Sequence, residues 1–112
     1  MKSTIQYNIK PVLITQPTIL GYGIDDRSGA DLERLKFLNR NGKTYWLILE
    51  EYNKITKEVA DKYKLLCIDL ANELPKSSYY FYDFIHFTPK GAAKVGKIIS
   101  RYLPSLIEEI KK

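Results

Sequence analysis

Residues 43–70 read KTYWLILEEYNKITKEVADKYKLLCIDL, and two periodicities meet inside them. Over 43–64, Leu49, Tyr52, Thr56, Val59 and Tyr63 recur at spacings of three and four, with Glu50, Glu51, Lys54, Lys57 and Glu58 on the remaining positions. An apolar stripe opposed by charge predicts an amphipathic helix. At residues 65–70 (LLCIDL) that pattern stops, and a short apolar run predicts a strand. Residues 11–16 (PVLITQ) have the same character: apolar, β-branched, not alternating, and closed by Pro17. Runs of this kind are strands covered on both faces, as in parallel sheets. A helix joining two of them is a βαβ crossover, so the fold class is α/β with the two strands as parallel neighbours.

The rest of the chain fills in around that unit. Residues 17–42 carry turn residues at Gly21, Gly23, Asp25, Asp26, Gly29 and Gly42, with room for a short helix over 31–38. A connection this long in a compact domain tends to be functional. Residues 75–82 form a loop rich in Ser and Tyr. Thr88 is suited to cap a helix and Pro89 to open it. That helix is expected to bury Ala92, Val95, Ile99 and Tyr102 before Pro104 ends or kinks it, and 105–112 add a last helical segment.

The chain's 112 residues suit one domain, residues 1–112. Its 45% hydrophobic and 28% charged composition is that of a globular protein, and no apolar run approaches a membrane span. Residues 1–10 are polar and mixed, unlike a signal peptide, so a cytoplasmic location is the default expectation. The net charge of +5 is spread among interleaved acids, which describes a solvated helix face better than a nucleic-acid partner. The single cysteine, Cys67, lies in an apolar run and is read as core. One Cys and one His without ligand spacing imply neither a metal nor a cofactor.

The one histidine, His86, stands two residues before the helix-opening Thr88, with Asp83 three residues upstream. A loop can set such a carboxylate against Nδ1 of the ring, fixing the tautomer and freeing Nε2 to take a proton from a hydroxyl nucleophile. Asp-x-x-His alone has a bland reading too, a surface histidine beside a turn aspartate. The aromatic residues Tyr79, Tyr80, Phe81, Tyr82, Phe84 and Phe87 around the pair could wall an acyl group or a sugar ring, or could pack the loop onto the sheet edge. Thr15 and Gln16 end a strand and are weaker candidates for substrate contact, with Tyr82.

The longer string decides more. Asp83-x-x-His86-x-Thr88, then Gly91 and an Ala-containing amphipathic helix, resembles the closing sequence block of the SGNH (GDSL-like) ester hydrolases. Residues 10–18 (KPVLITQPT) resemble that fold's fourth strand, and residues 45–70 its following helix and fifth strand. The resemblance implies a partial flavodoxin-like three-layer fold whose first three strands are missing here. It also implies a catalytic role for Asp83 and His86 in the hydrolysis of carboxylic esters.

The sequence departs from the family in lacking Gly-Asp-Ser, the family's nucleophile block, and Gly-x-Asn-Asp. Ser3, Ser28, Ser77, Ser78, Ser100 and Ser105 follow no strand-to-turn pattern that would make a nucleophile. Two expectations follow. As an enzyme piece, the chain is inactive alone and meets its ester substrate only when an N-terminal half supplies the serine, pairing through the exposed strand 11–16. Alternatively it is a non-catalytic module that self-associates or binds a partner through that same strand.

Overall fold

A computed structural model describes residues 11–111. In chain order the elements are β1 (Leu13–Ile14), β2 (Lys36–Phe37), β3 (Arg40–Asn41), α1 (Gly42–Lys62), β4 (Cys67–Ile68), α2 (Leu70–Glu73), α3 (Pro89–Ser100) and α4 (Leu103–Lys111). β1 and β4 run parallel, with Leu13 beside Cys67 and Ile14 beside Ile68. The expected α/β arrangement of two parallel strands joined through a helix is thus present. The regular strands are two residues each, shorter than the apolar runs that contain them.

The segment 31–38 is not helical. Lys36–Phe37 and Arg40–Asn41 form an antiparallel hairpin turned by Leu38 and Asn39, both at positive φ (54° and 65°). That is the backbone of a two-residue turn matching strand twist. Asn39 tolerates it, but Leu38 does not advertise it, so nothing in residues 36–41 reads as a turn in advance.

The hairpin delivers the chain straight into α1. The Asn41 side chain accepts the Thr44 N–H at 2.8 Å, a standard N-cap. Gly42 is needed as the first helical residue, because a Cβ there would stand 1.9 Å from the Leu32 carbonyl oxygen. The face α1 buries is offset from the one its periodicity suggests. Gly42, Trp46, Asn53 and Ala60 are buried, Leu49, Thr56, Val59 and Tyr63 are half-buried, and Tyr52 is 65% exposed. Likewise α3 turns Gly91, Val95, Ile98 and Ile99 inward and leaves Ala92 in solvent.

The core lies where loop 17–20, the strands, α2, the 79–88 loop and α3 meet: Ile19, Leu20, Leu32, Ile68, Leu70, Leu74, Phe81 and Ile98. The expected cover on both faces of strand 11–16 is not found among the described residues, since Ile14 is 43% exposed. Leu13 and Thr15 donate their N–H groups to Leu66 and Ile68 carbonyls at 3.0 Å, so the Ile14 N–H and C=O face away from β4. Pro104 lies in the first turn of α4, where its missing N–H costs nothing, and α3 has already ended at Ser100. No helix among the described residues is long and apolar enough to cross a membrane.

Candidate active site

Residues 79–88 fold back on themselves between the core and α3. Phe81 and Phe87 form an antiparallel bridge, Tyr82 N–H donates to the His86 carbonyl at 2.7 Å, and Thr88 N–H donates to the Tyr80 carbonyl at 2.9 Å. Thr88 also joins loop to helix. Its hydroxyl donates to the Tyr79 carbonyl at 2.7 Å and accepts the Gly91 N–H at 3.0 Å, capping α3 behind Pro89. Gly91 permits this closeness, because any Cβ there would meet the Tyr80 carbonyl oxygen at 1.9 Å.

Asp83 and His86 sit at the tip of this loop. Asp83 Oδ1 accepts the N–H groups of Ile85 at 2.9 Å and His86 at 2.7 Å, and Oδ2 lies 2.8 Å from His86 Nδ1. The sequence expectation of carboxylate against Nδ1 therefore describes the geometry. One oxygen is tied to the backbone and the other to the ring, so the carboxylate cannot turn without breaking a bond. The Ile85 N–H, then that of His86, then the ring, hold the Asp83 carboxyl down to about pKa 2. With Nδ1 engaged, Nε2 has no hydrogen-bond partner among the described residues, and the side chain is 71% exposed.

The surrounding aromatics divide. Phe81 is buried, and Tyr80, Phe84 and Phe87 pack half-buried against the core, whereas Tyr82 is 81% exposed. Phe84 stacks edge-on against Phe37 with ring centroids 5.1 Å apart, tying the site loop to the β2–β3 hairpin. Packing accounts for most of the cluster, and Tyr82 is the ring left facing solvent beside the pair.

Thr15 and Gln16 serve the frame. Thr15 is 1% exposed; its hydroxyl donates to Asp69 at 2.9 Å and accepts the Ala71 N–H at 2.9 Å, locking the strand ends to α2. Burial opposes charge on Asp69, but hydrogen bonds from Asn72, Lys57 and Thr15 outweigh it and lower its pKa. Gln16 has both backbone groups bound by Asn53 and donates its own amide to the Pro17 carbonyl. Neither Thr15 nor Gln16 shares a hydrogen bond with Asp83 or His86.

No serine among the described residues is hydrogen-bonded to His86. Ser28 donates to Asp25 at 2.5 Å, and the Ser77 hydroxyl donates to Asp26. Burial works against charge on Asp25, yet hydrogen bonds from Ser28 and Ser78 hold its carboxyl well below the usual carboxylate range. These bonds staple loop 24–31 to the base of the site loop. A groove of about 220 Å³ opens between α1 and α2, lined by Glu50, Lys54, Lys57 and Asn72 among others, and includes neither Asp83 nor His86. No three His, Cys, Asp or Glu side chains gather as metal ligands among the described residues.

Sequence reasoning did not single out Thr18, Asn53 or Lys76. Lys76 places its ammonium 2.7 Å from the Thr18 carbonyl and 2.8 Å from the Leu20 carbonyl, and 3.5 Å from the Trp46 ring centroid. A lysine in a polar loop carries no signal for such a role. No protein family model, curated protein or solved structure matches the chain.

Proposed function

We propose that the chain is the C-terminal part of an SGNH-type ester hydrolase and supplies the Asp–His half of its catalytic triad. The observation that carries the reading is the 2.8 Å contact between Asp83 Oδ2 and His86 Nδ1, with Nε2 unpartnered among the described residues. In the proposed cycle, Nε2 takes the proton of a serine hydroxyl as its oxygen attacks the ester carbonyl. The imidazolium, stabilised by Asp83, returns the proton to the leaving alkoxide. Water, deprotonated by the same nitrogen, then releases the acid and restores the serine. The sequence holds no Gly-Asp-Ser, so the serine and its oxyanion-binding N–H groups are assigned to a segment outside these 112 residues.

The outward edge of β1 is where that segment is proposed to join. Among the described residues the Ile14 backbone has no strand partner on that side, and an apolar strand edge of this kind recruits another strand. On α1, Ile48, Tyr52 and Ile55 are also exposed, adding an apolar helix stripe that is without cover among the described residues. The partial flavodoxin-like fold is part of this proposal and rests on the parallel β1–β4 pair and on the sequence resemblance.

The same uncovered surface favours a second reading, a non-catalytic module that dimerises or binds a partner. The two are separated by mixing the chain with a folded N-terminal SGNH half carrying Gly-Asp-Ser and assaying p-nitrophenyl acetate. The enzyme reading expects activity in the mixture that His86→Ala abolishes. A folded, associated mixture with no hydrolysis, or with hydrolysis untouched by His86→Ala, rejects it in favour of the module.

A further inference from the structure

The peptide unit between Phe84 and Ile85 is held at both ends. Its carbonyl oxygen accepts the Thr18 hydroxyl at 2.7 Å and the Ile19 N–H at 3.2 Å. Its N–H donates to Asp83 Oδ1 at 2.9 Å. A trans peptide is planar and points its C=O and N–H in opposite directions, so aiming one aims the other. The clamp itself is rigid. Thr18 is 1% exposed, its hydroxyl also accepts the Leu20 N–H at 3.2 Å, and its carbonyl accepts the Lys76 ammonium. It lies just past Thr15 and Gln16 on the chain leaving β1, so it ties the site loop to the end of the sheet.

We infer that Thr18 is a positioning residue for the Asp83–His86 pair: by gripping the Phe84 carbonyl it presents the Ile85 N–H to Asp83 Oδ1 and leaves Oδ2 for the imidazole. The bonds Asp83 makes with the Ile85 and His86 N–H groups and the ring, with that from the Tyr82 N–H to the His86 carbonyl, fix Asp83 relative to His86 without fixing either relative to the sheet. The Thr18 and Ile19 bonds provide that second reference. The Ile85 N–H is also the largest cause of the low Asp83 pKa, so loosening it has a direct readout. The geometric claim stands apart from the ester-hydrolase reading; only its consequence for turnover rests on that reading.

The experiment titrates the Asp83 carboxyl carbon by NMR in the full chain and in Thr18→Val and Thr18→Ser variants. Val keeps the shape and removes the hydroxyl; Ser keeps the hydroxyl. The midpoint is expected to rise by at least about half a unit toward the ordinary aspartate value of about 3.9 in Thr18→Val, and to stay at the wild-type value in Thr18→Ser. A folded Thr18→Val chain with the wild-type midpoint overturns the inference, as does an equal shift in both variants. Should Thr18→Val not fold, the wild-type chain decides: a scalar coupling across the Ile19 N–H to Phe84 carbonyl bond supports the clamp, and its absence overturns it. In a chain complemented with a Gly-Asp-Ser half, Thr18→Val should lower kcat severalfold with KM unchanged. A moved Asp83 midpoint without any hydrolysis would leave Thr18 as assigned and remove the esterase reading alone.

Discussion

The side-chain amide of Asn53 holds both backbone groups of Gln16, accepting its N–H at 2.9 Å and donating to its carbonyl at 3.0 Å. Gln16 lies on the same outward side of the chain as Ile14, so a side chain from α1 does there what a neighbouring strand would do. Replacing it with Ala leaves a backbone donor and acceptor without their partners in a half-buried place. Asn53→Ala is expected to cost about 1–3 kcal/mol in urea unfolding. Asn53→Asp, which keeps only the acceptor, should fall between wild type and Ala at neutral pH. Equal stability of all three would show the bonds to be dispensable.

Gly91 gives a prediction with a steric cause. The first turn of α3 runs so close to the Tyr80 carbonyl that one added methyl must displace backbone. Gly91→Ala should destabilise by about 1–3 kcal/mol despite the better helix propensity of Ala. Gly96, with open space around its position, is the control: Gly96→Ala should be neutral or stabilising by up to about 1 kcal/mol. Thermal melts of the two variants side by side check the contrast.

Burial pulls the Lys76 pKa down to about 7, with Glu50 opposing. Between about pH 7 and the ordinary lysine value near 10.4, the unfolded chain therefore binds a proton that the folded chain does not. Stability from this group rises with pH across that window and is flat below it. The melting temperature of wild type relative to Lys76→Met should accordingly shift in favour of wild type from pH 7 to pH 10. A pH-independent difference would mean that the ammonium stays charged over Trp46 throughout.

Asp83 has the same sign in a more acidic window. Its carboxyl is held near pKa 2, below its unfolded value of about 3.9, so its contribution is complete above about pH 4 and is lost as the pH falls toward 2. Asp83→Asn should therefore be closest to wild type in stability at the acid end and diverge as pH rises through 4. The check is a pair of urea titrations at pH 2.5 and pH 5; a gap that does not widen contradicts the bond pattern around Oδ1.

The sequence was readable where one residue carries its own local signal. Thr88 and Pro89 declare a helix start whatever surrounds them, and Asp83 and His86 are near enough in the chain for a loop to join them. The apolar runs around Ile14 and Ile68 announce parallel neighbours because neither alternates, although Ile14 is left half in solvent. The hairpin at residues 36–41 was not readable, since Leu38, itself largely exposed, takes a left-handed backbone that its residue type does not signal. The inward face of α1 is offset from its apolar periodicity for a reason that is non-local. Asn53 looks like an outward polar residue until its partner, Gln16, is known to lie against the helix. Thr18 and Lys76 act on carbonyl oxygens more than fifty positions away, and no window along the chain contains both ends of such a bond.

The sequence contains a single imidazole, and it lies at the solvent boundary. Any reagent or light-driven oxidation selective for that ring modifies one atom group in the entire molecule. Acylation by diethyl pyrocarbonate, followed by its ultraviolet absorbance, therefore reports the accessibility of one defined nitrogen without mapping or digestion. A covering polypeptide that settles over the tip would announce itself as a slowing of that one adduct.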